Sequence, residues 1–261
     1  MPVYKTIARI IMTTITAMTV VIALPVTADT RIEYVDENTG ETQTVITIKD
    51  GQARMENADD TGYTLFDASA GTLTTVDPEE RTFTVMDEAS MQALSSEVDS
   101  AMSQMRAELE KMPPEQRAMM KKMMGGMADF GKSMLETSVK RTGNTMNKGG
   151  YECEQVFFSV GSVASTELCV VDASELGMPD EDQATLNTMY AQMKAMAEKM
   201  ASTFGVDMAP DMEALGGIPV YTRADDEESG EVVKDISHDG IDAALFTIPD
   251  GYREEKMDVE G

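Results

Sequence analysis

Methionine sulfur is the chemistry that sets this chain apart. It carries 24 Met in 261 residues, against two Cys, one His and no Trp. The Met residues are patterned as well as frequent. Met189, Met193, Met196 and Met200 fall at i, i+4, i+7 and i+11, one face of a helix. Met102, Met105, Leu109 and Met112, at i, i+3, i+7 and i+10, also share one helix face, and Met119, Met120, Met123, Met124 and Met127 make a broader stripe. Three chemistries fit. Such faces can pack on a core, or form a pliable surface for acyl chains or apolar peptides, because unbranched thioether chains repack around irregular ligands. Soft sulfur also suits Cu(I), and Met-x-x-Met recurs at Met102–Met105, Met120–Met123, Met124–Met127 and Met193–Met196. Sacrificial oxidation of exposed thioethers is a weaker fourth reading. The candidate ligand face is Met102, Met105, Met119, Met123, Met127, Met189, Met193, Met196 and Met200.

The other reactive groups offer less. Cys153 and Cys169 stand symmetrically about Gly161 between two β-rich runs, Tyr151 to Val160 and Val163 to Val171. A hairpin turn there sets 153 opposite 169, within reach of a bridge. There is no C-x-x-C and no basic neighbour to lower a thiol pKa, so the expectation is a structural disulfide. His238 ends a strand pattern beside Asp239-Gly240, with no nucleophile or orienting carboxylate identifiable near it. The acidic run Asp225 to Glu231 lacks the spaced ligands of a calcium loop, and acid recurs at other turns, as at Asp36-Glu37 and Asp77 to Glu80. No phosphate loop, G-x-S-x-G or H-E-x-x-H is present. The sequence reads as non-catalytic, with no cofactor and no metal site assigned.

Charge narrows the partners. With 21 Lys+Arg against 47 Asp+Glu the net charge is −26, which argues against nucleic acid and against an anionic membrane surface. A hydrophobic small molecule or lipid remains, as does an envelope protein partner. Residues 1–28 read as a signal peptide: Lys5 and Arg9 precede the apolar run Ile10 to Leu24, then Pro25 and Val26-Thr27-Ala28. The run is short for a membrane span, which needs about 20 residues. Cleavage after Ala28 would deliver a soluble protein to the periplasm or beyond.

The elements that must position these residues alternate in kind. Short strands are expected at Arg31 to Val35, Thr44 to Lys49, Ala53 to Asn57, Gly62 to Asp67, Thr72 to Val76 and Arg81 to Met86. Helices are expected at about 88–111 and 114–124, split by Pro113-Pro114, and at about 181–204. Further strands are expected at Thr137 to Arg141, in the cysteine hairpin, and at Gly217 to Thr222, Glu231 to Ser237 and Ala243 to Ile248. The reading is α+β, one domain over 29–261, with helical insertions near 88–135 and 181–204.

This order of parts resembles a known superfamily. The runs Tyr63-Thr64-Leu65-Phe66-Asp67 and Arg81-Thr82-Phe83-Thr84-Val85 are similar to strands of the LolA/LolB-type lipoprotein-localisation proteins. So are Gly217-Ile218-Pro219-Val220 and Phe246-Thr247-Ile248-Pro249-Asp250-Gly251-Tyr252. Gly150-Tyr151-Glu152-Cys153 and Met112-Pro113-Pro114-Glu115-Gln116-Arg117 more closely resemble an uncharacterised family of bacterial envelope proteins. The resemblance covers most of 29–257. It implies a curved antiparallel half-barrel, with the Met-rich helices over a concave face that holds acyl chains. Without a lipidation Cys, the chain is similar to the carrier form rather than the anchored one. Mass analysis of the exported protein should find Asp29 at its N-terminus, and a retained Met1 in the membrane fraction would contradict the cleavage.

Overall fold

The computed structural model describes residues 29–58, 60–114, 116, 137–160, 164–204 and 212–256. A meander comes first: β1 (Thr30–Asp36), β2 (Thr42–Lys49), β3 (Gln52–Asn57), β4 (Tyr63–Asp67), β5 (Thr72–Asp77) and β6 (Thr82–Met86). Its turns are set by aspartates. Asp36 Oδ1 accepts from the Asn38 and Thr39 N–H groups, Asp67 Oδ1 from Ser69 and Ala70, and Asp77 Oδ1 from Glu79 and Glu80. These acids shape their own backbone rather than share a cation.

Helix α1 (Glu88–Lys111) begins where Asp87 Oδ1 accepts from Ser90 N–H and Ser90 Oγ accepts from Asp87 N–H, a reciprocal cap. Strands β7 (Thr137–Lys148), β8 (Tyr151–Val160) and β9 (Ala164–Val171) follow, then helix α2 (Asp180–Phe204). The chain closes with β10 (Ile218–Ala224), β11 (Glu231–Ser237) and the short β12 (Arg253–Glu254). Among the described residues these strands form one sheet, ordered β12-β6-β5-β4-β3-β2-β1-β11-β10-β9-β8-β7. Every pairing is antiparallel except β12 on β6.

The sheet is strongly curved. Laid flat, the five steps from β7 to β1 would span about 24 Å at roughly 4.8 Å each. Lys148 at the end of β7 nevertheless pairs with Glu37, just past β1, at 2.5 Å, and its ammonium lies 4.0 Å from the Tyr221 ring centroid. The β7–β8 turn therefore folds back over β10 and β11. Gly149 permits this: its φ is +60°, and a Cβ there would stand 2.8 Å from Val233 O. The curl encloses a core of Ile32, Tyr34, Ile48, Phe66, Cys169, Val220 and Tyr221, capped by Leu176, Leu186 and Met189. Each large apolar side chain so buried contributes about 1.5–3 kcal/mol.

A second layer covers part of the reverse face. Tyr63, Leu65 and Val76 pack against Phe83 of β6 and beneath Ile248 and Tyr252 of the C-terminal segment. Arg54 pins that segment: Nη1 donates to Leu245 O at 2.9 Å, Nη2 to Glu56 at 2.6 Å, and Cζ lies 3.5 Å from the Tyr63 ring centroid.

The expected strands of the meander and both long helices are present within a residue or two. Three expectations are corrected. Strand β7 does not stop at Arg141 but runs to Lys148. Residues Thr142 to Asn144 are absorbed as a bulge, since Arg141 pairs with Val156 and Thr145 with Glu154. Ala243 to Ile248 is not a strand. Asp242 caps a 3-10 turn at Ala243–Phe246 by accepting from Ala244 N–H. The cysteines are bridged, Cα to Cα 5.3 Å, yet they do not face each other. Gln155 pairs with Cys169 and Glu154 with Val170, so Cys153 sits diagonally, where the regular pairing of β8 with β9 has ended. The expected turn at Gly161 and the helix at 114–124 lie largely outside the described residues.

Both cysteines are buried in the core. Replacing both with Ala should lower the unfolding free energy by about 3 kcal/mol, the loop-closure gain for a bridge of this span. Denaturant melts of the oxidised protein and the variant would measure it. Two titratable thiols in the oxidised native protein would contradict the bridge.

Candidate functional site

Strand register builds the floor of a cavity. One cross-strand row runs Ile48–Ala53–Phe66–Leu73–Met86, and the next runs Ile46–Met55–Thr64–Thr75–Thr84. Alternation along β2 to β6 puts both rows on the face that α2 covers. Phe66 and Ala53 are buried near the tight end of the core, whereas Thr75 is exposed. The floor thus grades from apolar to hydroxylated, with Thr64, Thr75 and Thr84 alongside the space.

Helix α2 supplies the roof. Its first turn carries Asp180, Glu181 and Asp182, a favourable placement for acid at a helix N-terminus. Leu186 and Met189 then dock into the core, and Gln192 Nε2 donates to Gly71 O in the β4–β5 turn. Helix and sheet do not fill the space between them. They leave a cavity of about 600 Å³, lined from above by Met189, Met193 and Met196. Met189 and Met196 are buried, and Met193 is 40% exposed at the open side.

Five thioethers therefore meet one space: Met55 and Met86 from the sheet, and Met189, Met193 and Met196 from the helix. Arg54 borders it, but its guanidinium is committed to Leu245, Glu56 and Tyr63. The lining can accept a flexible apolar body and offer hydroxyls to a polar end. It offers no aligned acid–base pair.

Of the residues singled out from sequence, Met189, Met193 and Met196 line this cavity. Met105, on α1, is 50% exposed and does not line it. Met102 and Met200 belong to α1 and α2, but their side chains lie outside the described residues, as do Met119, Met123 and Met127 altogether. Met55 and Met86 were missed. Period-two alternation could have found them, since each shares a strand face with residues of the core.

A second cavity, about 650 Å³, opens on the other flank of α2 against Gly216, Gly217 and Ile218. Its lining is mixed, with Asp172, Asn187, Lys194 and Glu198 around Tyr190, whose hydroxyl pKa is pushed up by burial. His238 is partly buried: its Nδ1 lies 3.4 Å from Thr30 Oγ1 and its Nε2 3.3 Å from Leu176 O. Among the described residues, no three of His, Cys, Asp or Glu are grouped to hold a metal ion. No helix among them is long and apolar enough to cross a membrane.

Comparison with known proteins gives a family and little more. No curated protein matches the chain. A crystal structure of an uncharacterized conserved protein from Thermus thermophilus is similar at 7% identity and a TM-score of 0.42, over 88% of this chain and 91% of that one. A profile for a domain of unknown function, DUF4412, matches residues 112–252, from the end of α1 through β11 to the C-terminal segment. That match spans more than half of the 261 residues, and the chain belongs to the DUF4412 family.

Proposed function

We propose that this is an exported, non-catalytic binding protein whose Met-lined cavity holds a hydrophobic ligand, an acyl chain or a lipid-modified segment. The convergence of five Met side chains on one cavity carries the reading. A core filled for stability alone leaves few voids larger than a water molecule. A space of about 600 Å³ lies instead within the range of small-molecule sites. Thioether chains adapt to variable apolar shapes at low strain, so the same helix face can pack on the sheet and yield to a ligand. A curved sheet with a helix across its apolar face is in keeping with the sequence resemblance to the LolA/LolB-type half-barrels, whose members hold acyl chains.

The same five sulfurs favour one second reading, a soft-metal site for Cu(I). One pair of variants separates the two. Replacing Met193 and Met196 together with Leu keeps volume and apolarity at a cost usually below about 1.5 kcal/mol per site. Binding of an apolar dye should survive that change, because the ligand sees a surface of the same kind. Replacing both with Lys should abolish dye binding, since two charges would enter the apolar cavity. Tight copper binding by the native protein that is lost in the Leu variant would instead establish the metal reading.

A further inference from the structure

A buried cluster away from the cavity holds two carboxylates, Asp29 and Asp182. Asp29 and Asp182 are each only 3% exposed, and Thr30 and Thr185 beside them are buried. Asp29 is fully provided for. Its Oδ2 accepts from Lys49 Nζ at 2.8 Å and from Ile241 N–H at 2.7 Å. Asp182, in the first turn of α2, is not. It accepts from the Thr30 hydroxyl, but its Oδ2 has no hydrogen-bond partner among the described residues. Burial, with the charges of Asp29 and Glu181, holds the Asp182 carboxyl above its ordinary range. An unpaired buried carboxylate is costly, so this oxygen calls for a donor, best a cation.

We propose that this cluster binds the chain's own α-ammonium group, created by cleavage before Asp29, with Asp182 Oδ2 as its partner. Three observations support it. The residue that would bear the ammonium has its side chain already seated by two hydrogen bonds. That residue directly precedes Thr30, whose hydroxyl reaches Asp182, and its own carboxylate is close enough to act on Asp182, so the new terminus arises at the same end of β1. The local balance is also acidic: His238 favours the Asp182 carboxylate, against the charges of Asp29 and Glu181. Lys49 of β2 is engaged with Asp29 and Asp50, while His238, after β11, stands behind Thr30. Before cleavage the Asp29 nitrogen is a neutral amide. Afterwards it carries three donors and a charge, and α2 becomes tied to β1. The signal peptide would thus be cut at the residue whose new terminus locks the fold.

The proposal has a pH signature. A free α-amino group titrates near 7.7–8.0. Pairing raises its folded-state value, so while Asp182 is ionised the stabilisation is complete below about pH 7.7 and fades as pH rises through that raised value. Protein starting at Asp29 should be compared with protein bearing a Gly-Ser extension, each with Asp182 and with Asp182→Asn. The extension should lower Tm by about 2–4 °C at neutral pH. That loss should vanish at strongly alkaline pH, and should be absent in Asp182→Asn. An equal loss in both backgrounds, or none in either, would overturn the proposal. If Asp182→Asn does not fold, carbon-13 NMR of the reductively dimethylated terminus still decides. A pKa no higher in the folded protein than after unfolding would overturn it, as would an exported protein beginning elsewhere than Asp29.

Discussion

An open curved sheet has an apolar face that its own strands cannot cover, and the docking of α2 on that face is what the rest of this structure depends on. The helix is held at one end, where Leu186 and Met189 join Ile32, Tyr34 and Phe66 in the core. Further along, Gln192 fixes it to the β4–β5 turn. Past that point the sheet offers Leu73 and a row of threonines rather than a continuous apolar floor, and contact gives way to a cavity. One helix thus has a part packed in the core and a part that lines the cavity. Met serves both, because its side chain conforms to a fixed neighbour or a transient one.

The sheet that receives the helix is joined late in the chain. Strands β10 and β11 lie between the N-terminal meander and the cysteine hairpin, β11 on β1 and β10 on β9. Neither half can curl onto the other until this C-terminal pair is in place. Local geometry there has little tolerance. A Cβ on Gly217 would overlap Val171 O, and one on Gly230 would meet Tyr221 and Thr222. The C-terminal segment then crosses the reverse face under Arg54, which closes the second, smaller core. Loop-closure entropy must be overcome before such distant pairings form, so slow folding follows from the topology.

Much of this was legible in the sequence, for identifiable reasons. The meander showed because each strand is short, alternating and ended by an Asp- or Gly-containing turn. The helices showed because β-branched residues are nearly absent between Glu88 and Lys111. Register was harder. Symmetry about Gly161 put Cys153 opposite Cys169, whereas the pairing is shifted by two residues, a difference that side-chain alternation cannot reveal because both registers keep the cysteines on one face. Strand β7 looked short because Gly143-Asn144 reads as a turn, and a bulge uses the same residues. The cavity was half legible: the helix stripe was visible, and alternation puts Met55 and Met86 on the core face of their strands, but only pairings across several strands bring them to one space. The Asp29–Asp182 cluster draws on residues more than 150 positions apart, beyond any local signal.

The central claim is that the space between α2 and β2–β6 admits an apolar ligand. The most direct measurement is a methionine-methyl NMR titration of the native protein with a neutral long-chain amphiphile. Saturable shifts should appear together at Met55, Met86, Met189, Met193 and Met196, with Met105 unmoved. Shifts at Met105 alone, or none at the cavity methyls up to the solubility limit of the amphiphile, would contradict the account.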